Sequence, residues 1–129
     1  MIEWRAVRMG KMLCSEWSGI KPDIVTLGKA IAGGMYPVSC VLGSSDVILV
    51  VKPGTHGSTF SGNPFGAAVS IRALELISED DLISKAERLG KIFREGIEAL
   101  GSPIIRTARG KGLLNAVVID ESQASGRTA

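Results

Sequence analysis

Residues Lys21–Leu42, KPDIVTLGKAIAGGMYPVSCVL, decide how the rest of the chain is read. Pro22 disfavours a helical backbone at Lys21, so the stretch opens on a turn. Asp23–Gly28, DIVTLG, is β-branched and apolar, the composition of a strand covered on both faces. The following AIAGGMYP reads as a loop, and Pro37–Gly43 as a second short buried strand. Lys29 falls between the first strand and the loop. A lysine placed there is either a solvated strand terminus or a functional amine. A nucleotide-binding loop does not fit, because that pattern needs Gly five residues before the Gly–Lys pair and Ser or Thr after it. Here Asp23 and Ala30 hold those places. What remains is an amine at the end of a rigid strand. Gly28, Ala30, Gly33 and Gly34 leave room for a flat ligand to approach the backbone. Burial would lower the pKa of such an amine and make it a nucleophile and proton carrier, which is what Schiff-base chemistry requires.

Thirty residues on, His56–Pro64, HGSTFSGNP, offers a complementary chemistry. Ser58, Thr59 and Ser61 supply hydroxyls, and Gly57 and Gly62 supply accessible N–H groups. Asn63–Pro64 reads as a helix start, with Asn as N-cap and Pro at the first helical position. The positive end of that helix dipole completes an anion cradle in which a phosphate fits. The bland alternative is a solvated loop ahead of a helix. A serine nucleophile paired with His56 is disfavoured, because residues two apart rarely meet that geometry and no acid partner is evident.

The helix after Asn63 is expected to run to about Ser78, with Ala67, Ala68 and Ala73 marking close packing. A second helix carries the amphipathic stripe Leu82, Ala86, Leu89, Phe93, Ile97 and Leu100, and ends at Gly101-Ser102-Pro103. IIRTARG and LLNAVVI read as two strands joined around Lys111-Gly112, with Arg109 and Lys111 solvated. Ser44 or Ser45 is expected to cap a short helix through Val51. Residues Met1–Gly19 show no clean period. Strands mixed with helices, and strands that are apolar throughout, indicate an α/β layer structure.

Composition narrows the classes of function. The 129 residues are 45% apolar and 22% charged, ordinary for a globular domain. A net charge of +2 and 5% aromatics, with no basic stripe, do not point to nucleic acid. Cys14 and Cys40 are too far apart in sequence for a zinc motif or a disulfide framework, so no metal site is expected and a reducing compartment is the default. No apolar run approaches membrane-spanning length, so no membrane partner is expected.

Three stretches in order, KPDIVTLGKAIAGGMYPVSCVL, PGTHGSTFSGNPFGAA (Pro53–Ala68) and RGKGLLNAVVI (Arg109–Ile119), resemble the class III pyridoxal-phosphate-dependent aminotransferases over about Met9–Ile119. GLLNAVVI tilts the resemblance toward members that act on ornithine. Members acting on acetylornithine or 4-aminobutyrate share the loop motif. The resemblance implies a part of the fold type I α/β large domain at residues 1–102, then the start of a small C-terminal domain at residues 103–129, the last ten disordered. It implies that Lys29 is the lysine that links covalently to pyridoxal 5′-phosphate. Thr59 matches the threonine that binds the cofactor phosphate from the neighbouring subunit of a homodimer, and Ser58 stands beside it. The implied reaction moves the terminal amine of ornithine to 2-oxoglutarate, giving glutamate semialdehyde and glutamate. A cytoplasmic location is expected, or the mitochondrial matrix where a targeting segment precedes the chain. The family's aspartate for the ring nitrogen and its carboxylate-binding arginine fall outside these stretches. The 129 residues alone are therefore expected to show little or no turnover. The alternative of another class is a non-catalytic remnant that binds partners through an exposed dimer surface.

Overall fold

The β-branched run after Asp23 forms the middle strand of a three-stranded sheet, β2 (Ile24–Leu27). The computed structural model describes residues 2–3 and 7–123. Strand β1 (Ile2–Glu3) runs parallel to β2, with Ile2 opposite Val25. Strand β3 (Cys40–Gly43) runs antiparallel, with Leu27 opposite Cys40 and Ile24 opposite Gly43. A short helix α1 (Ser45–Ile48) follows and packs on β3, where the position of a Cβ on Gly43 would lie 3.0 Å from Ile48 Cδ1. It ends three residues short of the expected Val51. Ser44 is its N-cap by position, without a side-chain cap bond.

Helix α2 (Pro64–Glu79) starts where Asn63-Pro64 dictates: Asn63 Oδ1 accepts from Phe65 N at 2.9 Å and Gly66 N at 3.3 Å. Its packing face is Gly66, Ser70 and Ala73, which recur at helical spacing. Gly66 and Ser70 are buried, whereas Ala67 and Ala68 are exposed. The expected alanine contacts therefore hold only for Ala73, because 3.6-residue periodicity turns the other two away. Ser70 Oγ is buried with no hydrogen-bond partner among the described residues.

The chain forms two units. Among the described residues the first holds 2–3 and 13–81, and the second 7–12 and 82–123. In the first, Val25, Ile31 and Ala32 are the buried apolar residues. The strand at β2 was expected to be covered on both faces. Instead Ile24 is exposed, since among the described residues no helix packs extensively on β2. Large apolar side chains also stand open to solvent in this unit, Met35 and Phe60 at 82% each.

The second unit is built on helix α3 (Leu82–Ala99) and an antiparallel hairpin, β4 (Ile105–Lys111) with β5 (Leu114–Ile119). The hairpin turns at Lys111-Gly112 as the sequence indicates, and Gly112 takes a left-handed backbone (φ 53°) that glycine adopts at no steric cost. The buried line on α3 is Ala86 and Gly90, not the full stripe: Leu82, Leu89 and Phe93 are exposed. The hairpin selects this line because its backbone comes so near that a Cβ on Gly90 would overlap the Gly112 carbonyl. Polar contacts fix the approach. Gly112 N donates to Glu87 Oε2 (3.0 Å), and Arg94 Nη1 donates to Gly112 O (3.2 Å) and Asn115 Oδ1 (2.8 Å). Arg94 also pairs with Glu87 at 3.5 Å. Leu113 N donates to Arg8 O at 2.6 Å, tying residues 7–12 to the turn. Of the tail expected to be disordered, Asp120–Gln123 form a turn, with Asp120 N on Ile104 O at 2.8 Å. The remaining six residues lie outside the described residues. No helix among the described residues is long and apolar enough to cross a membrane.

Candidate active site

Strand β2 delivers the chain to Gly28, and Lys29 begins a 3-10 turn, Lys29–Ala32, where the sequence pattern suggested loop. The turn closes through Ile31 N on Gly28 O (3.3 Å) and Gly33 N on Ala30 O (2.9 Å). Ile31 and Ala32, at 4% and 0% exposure, nail it into the core. The turn also packs against α2, whose Ala73 Cβ lies 3.7 Å from where a Gly33 Cβ would sit. Lys29 itself has φ 51°, the left-handed region. A non-glycine residue there costs on the order of 1 kcal/mol and persists only where its surroundings over-determine it, as at ligand-binding positions. The side chain of Lys29 is exposed, not buried as a desolvated amine would be. Its neighbours Gly28, Ala30, Gly33 and Gly34 have almost no side chain with which to cover it, and the position of a Cβ on Gly34 meets nothing within 4 Å.

Ser58 and Thr59 lie on the loop ahead of α2, and residues 51–62 are exposed throughout. The loop has internal order. Thr55 Oγ1 donates to Lys52 O (2.7 Å) and accepts from Lys52 N (3.1 Å), while Ser61 N donates to Ser58 O (3.2 Å). A Cβ at Gly57 or Gly62 would meet nothing within 4 Å, so the loop is open to its surroundings at both positions.

One bond joins the segment after Lys29 to the end of this loop. Asn63, while capping α2 with its carbonyl oxygen, donates from Nδ2 to the hydroxyl of Tyr36 at 2.9 Å. The Tyr36 ring packs edge-on against Phe65, centroids 5.2 Å apart at 79°. Gly66 makes room for this arrangement, since a Cβ there would come within 3.0 Å of Val38 and 3.2 Å of Tyr36. The sequence offered a signal for Asn63 as a cap but none for Tyr36 as its second partner.

The chemistry is thus a primary amine on a strained turn and an exposed hydroxyl-rich loop, joined through one tyrosine. An aldehyde fits the first and a phosphate the second, so the residues present suit a phosphorylated aldehyde cofactor. Residues 6–128 match the family described as Aminotransferase class-III, and the chain belongs to it. It is 64% identical over 128 residues to the ornithine aminotransferase of Emericella nidulans, covering 99% of this chain and 28% of that protein. A solved ornithine aminotransferase from Toxoplasma gondii, whose structure shows partial occupancy of pyridoxal phosphate at its active site, superposes with a TM-score of 0.81 at 44% identity. That match covers 90% of this chain and 28% of the other. The acetylornithine aminotransferase of Elizabethkingia anophelis superposes with a TM-score of 0.80 at 47% identity, over 92% of this chain and 32% of its own. The chain therefore spans under a third of the length of these three relatives.

Proposed function

We propose that these residues form the lysine-bearing and phosphate-binding part of a pyridoxal-phosphate-dependent ornithine aminotransferase. The observation that carries the reading is the 64% identity to the Emericella nidulans enzyme across nearly the whole chain, with an amine at the head of a strained turn where the family resemblance implies the cofactor-linked lysine. Lys29 Nζ would hold the cofactor through its aldehyde carbon, and Ser58 and Thr59 would hold the phosphate through their hydroxyls. When bound, pyridoxal phosphate supplies an electron sink for the electrons left when a bond to the amine-bearing carbon breaks. Lys29 Nζ would take the proton from that carbon, a task suited to an amine positioned by a rigid turn. The substrates are ornithine as amine donor and 2-oxoglutarate as acceptor.

The same proposal carries a homodimer, in which Thr59 serves the neighbouring subunit's site. It also carries a domain border after residue 102, implied by the resemblance, and a cytoplasmic location, consistent with the free Cys14 and Cys40, or the mitochondrial matrix where a targeting segment precedes the chain. The likeness to the acetylornithine enzyme supports a second reading in which the donor is acetylornithine. A chimera tests whether this chain can supply the lysine-bearing part of an ornithine enzyme. Residues 1–129 replace the matching stretch of the Emericella nidulans enzyme, and glutamate formation from 2-oxoglutarate is followed with each donor. The proposal expects activity with ornithine that is lost on Lys29→Ala, while the 129-residue chain alone turns over little or not at all. A folded chimera that is inactive, or that prefers acetylornithine, refutes it.

A further inference from the structure

The bond between Tyr36 and Asn63 spans 27 positions and joins the two segments on which the proposed function rests. Asn63 is already fully used as a helix cap through its oxygen. Its amide nitrogen is therefore directed, and it donates to the tyrosine hydroxyl. Tyr36 is in turn fixed on two sides, by the edge contact with Phe65 and by the close approach of Gly66. It stands two residues beyond the glycine pair that ends the Lys29 turn, Gly33 and Gly34, both left-handed at φ 61° and 81°. Asn63 stands directly after Gly62, itself left-handed at φ 70°. A loop that ends on a left-handed glycine and begins beside another, Gly54 at φ 80°, has soft ends, and exposed residues between them supply little packing to hold it. The described contacts anchor the downstream end through Asn63, which is held to α2 by its cap bonds and tied to the segment after Lys29 through Tyr36.

We propose that Tyr36 is a positioning residue for the loop carrying Ser58 and Thr59: by holding Asn63 it sets where the hydroxyls stand when they receive a phosphate. The inference rests on the proposed function, since it assigns Tyr36 a part in phosphate recognition there. Tyr36 touches neither cofactor nor substrate in this role. The tie acts on the loop within its own chain, so the expectation is the same whether the loop serves its own chain's cofactor or that of a second copy.

The test compares pyridoxal phosphate with pyridoxal, which has the same aldehyde and no phosphate. Borohydride trapping at Lys29, read by mass spectrometry over a range of concentrations, gives a half-saturation value for each probe and hence a preference ratio. Tyr36→Phe keeps the ring and its packing but removes the hydroxyl. Asn63→Ser keeps a capping oxygen but is too short to reach Tyr36. Both variants are expected to lower the preference for the phosphorylated probe by roughly threefold to tenfold, the range that one hydrogen bond of this kind spans. Pyridoxal trapping at Lys29 is expected to stay at the wild-type level, and the double variant to be no worse than either single one. In the ligand-free chain, amide exchange at residues 57–62 should quicken in both variants, a readout independent of any cofactor.

A wild-type preference that survives intact in both variants overturns the inference and leaves the proposed function standing. Equal losses for the two probes overturn it as well, because they indicate damage to the Lys29 turn instead of the loop. A wild-type chain that does not distinguish the two probes overturns it together with the phosphate-loop reading. Asn63→Ser serves as the second route if Tyr36→Phe does not fold.

Discussion

Two glycines six residues apart on α3 should respond to the same substitution with opposite signs. At Gly96 nothing lies within 4 Å of a new Cβ and the residue is exposed in a helix interior. Gly96→Ala should stabilise by about 0.5–1 kcal/mol, the ordinary helical gain of alanine over glycine. At Gly90 the same gain applies, but the new Cβ overlaps the backbone carbonyl of Gly112. Backbone cannot swing aside as a flexible side-chain tip can, so the hairpin must move off the helix. Overpacking of that kind costs about 1–3 kcal/mol. The shift also weakens two hydrogen bonds to charged partners, Gly112 N to Glu87 and Arg94 to Gly112 O. Such bonds contribute about 1.5–3 kcal/mol each when intact. Partial loss of both, set against the helical gain, leaves Gly90→Ala less stable by about 3 kcal/mol. For a chain of this length that is a fall of roughly 10 °C in Tm. Thermal melts followed by far-UV circular dichroism, with a urea series as check, measure both variants. If Gly90→Ala melts at or above wild type, or Gly96→Ala falls as far as Gly90→Ala, the close approach of hairpin and helix is wrong.

Ser70→Ala removes a buried hydroxyl that has no partner among the described residues, so it should raise stability by about 1 kcal/mol, where a bonded serine would lose by a similar amount; urea midpoints decide. Arg72 bridges Glu75 (3.1 Å) and Glu79 (2.9 Å) on the exposed side of α2, and its hydrogen bond holds the Glu79 carboxyl below its ordinary value. A depressed folded-state pKa means that the contribution is present above the unfolded value and lost as pH falls through the folded one. The melting difference between wild type and Arg72→Ala should therefore shrink on acidification below the ordinary carboxylate range, and a difference that grows there would contradict it. The Ser122 hydroxyl, followed by its backbone N–H, lowers the Asp120 pKa; NMR titration of Ser122→Ala should find the Asp120 carboxyl moved up toward its ordinary value.

Much of the frame was legible because it is dictated locally. Asn63-Pro64 names a helix start through cap and ring geometry alone, and Lys111-Gly112 marks a hairpin through the one residue type at ease with its backbone angle. Family membership was legible for a different reason, in that three motifs in order carry it. The packing face of α3 was not legible. The apolar stripe and the line Ala86–Gly90 differ by part of a turn, and the approach of Gly112 selects between them from more than twenty residues away. Burial of β2 on both faces failed likewise, because composition states what a strand could cover and not which layers are present. At the candidate site, the sequence supplied the amine and the hydroxyl loop. It could not supply the left-handed backbone at Lys29, which local propensity opposes, or the second bond of Asn63, which depends on where Tyr36 arrives.

The central claim is that the Lys29 amine is the group meant for an aldehyde cofactor. The seven lysines of the chain provide their own controls. Pyridoxal phosphate is added at low stoichiometry, trapped with borohydride, and located by peptide mass spectrometry. The account predicts modification concentrated on Lys29 and abolished by Lys29→Ala without transfer to another lysine. Label spread evenly over Lys11, Lys21, Lys29, Lys52, Lys85, Lys91 and Lys111 would contradict it.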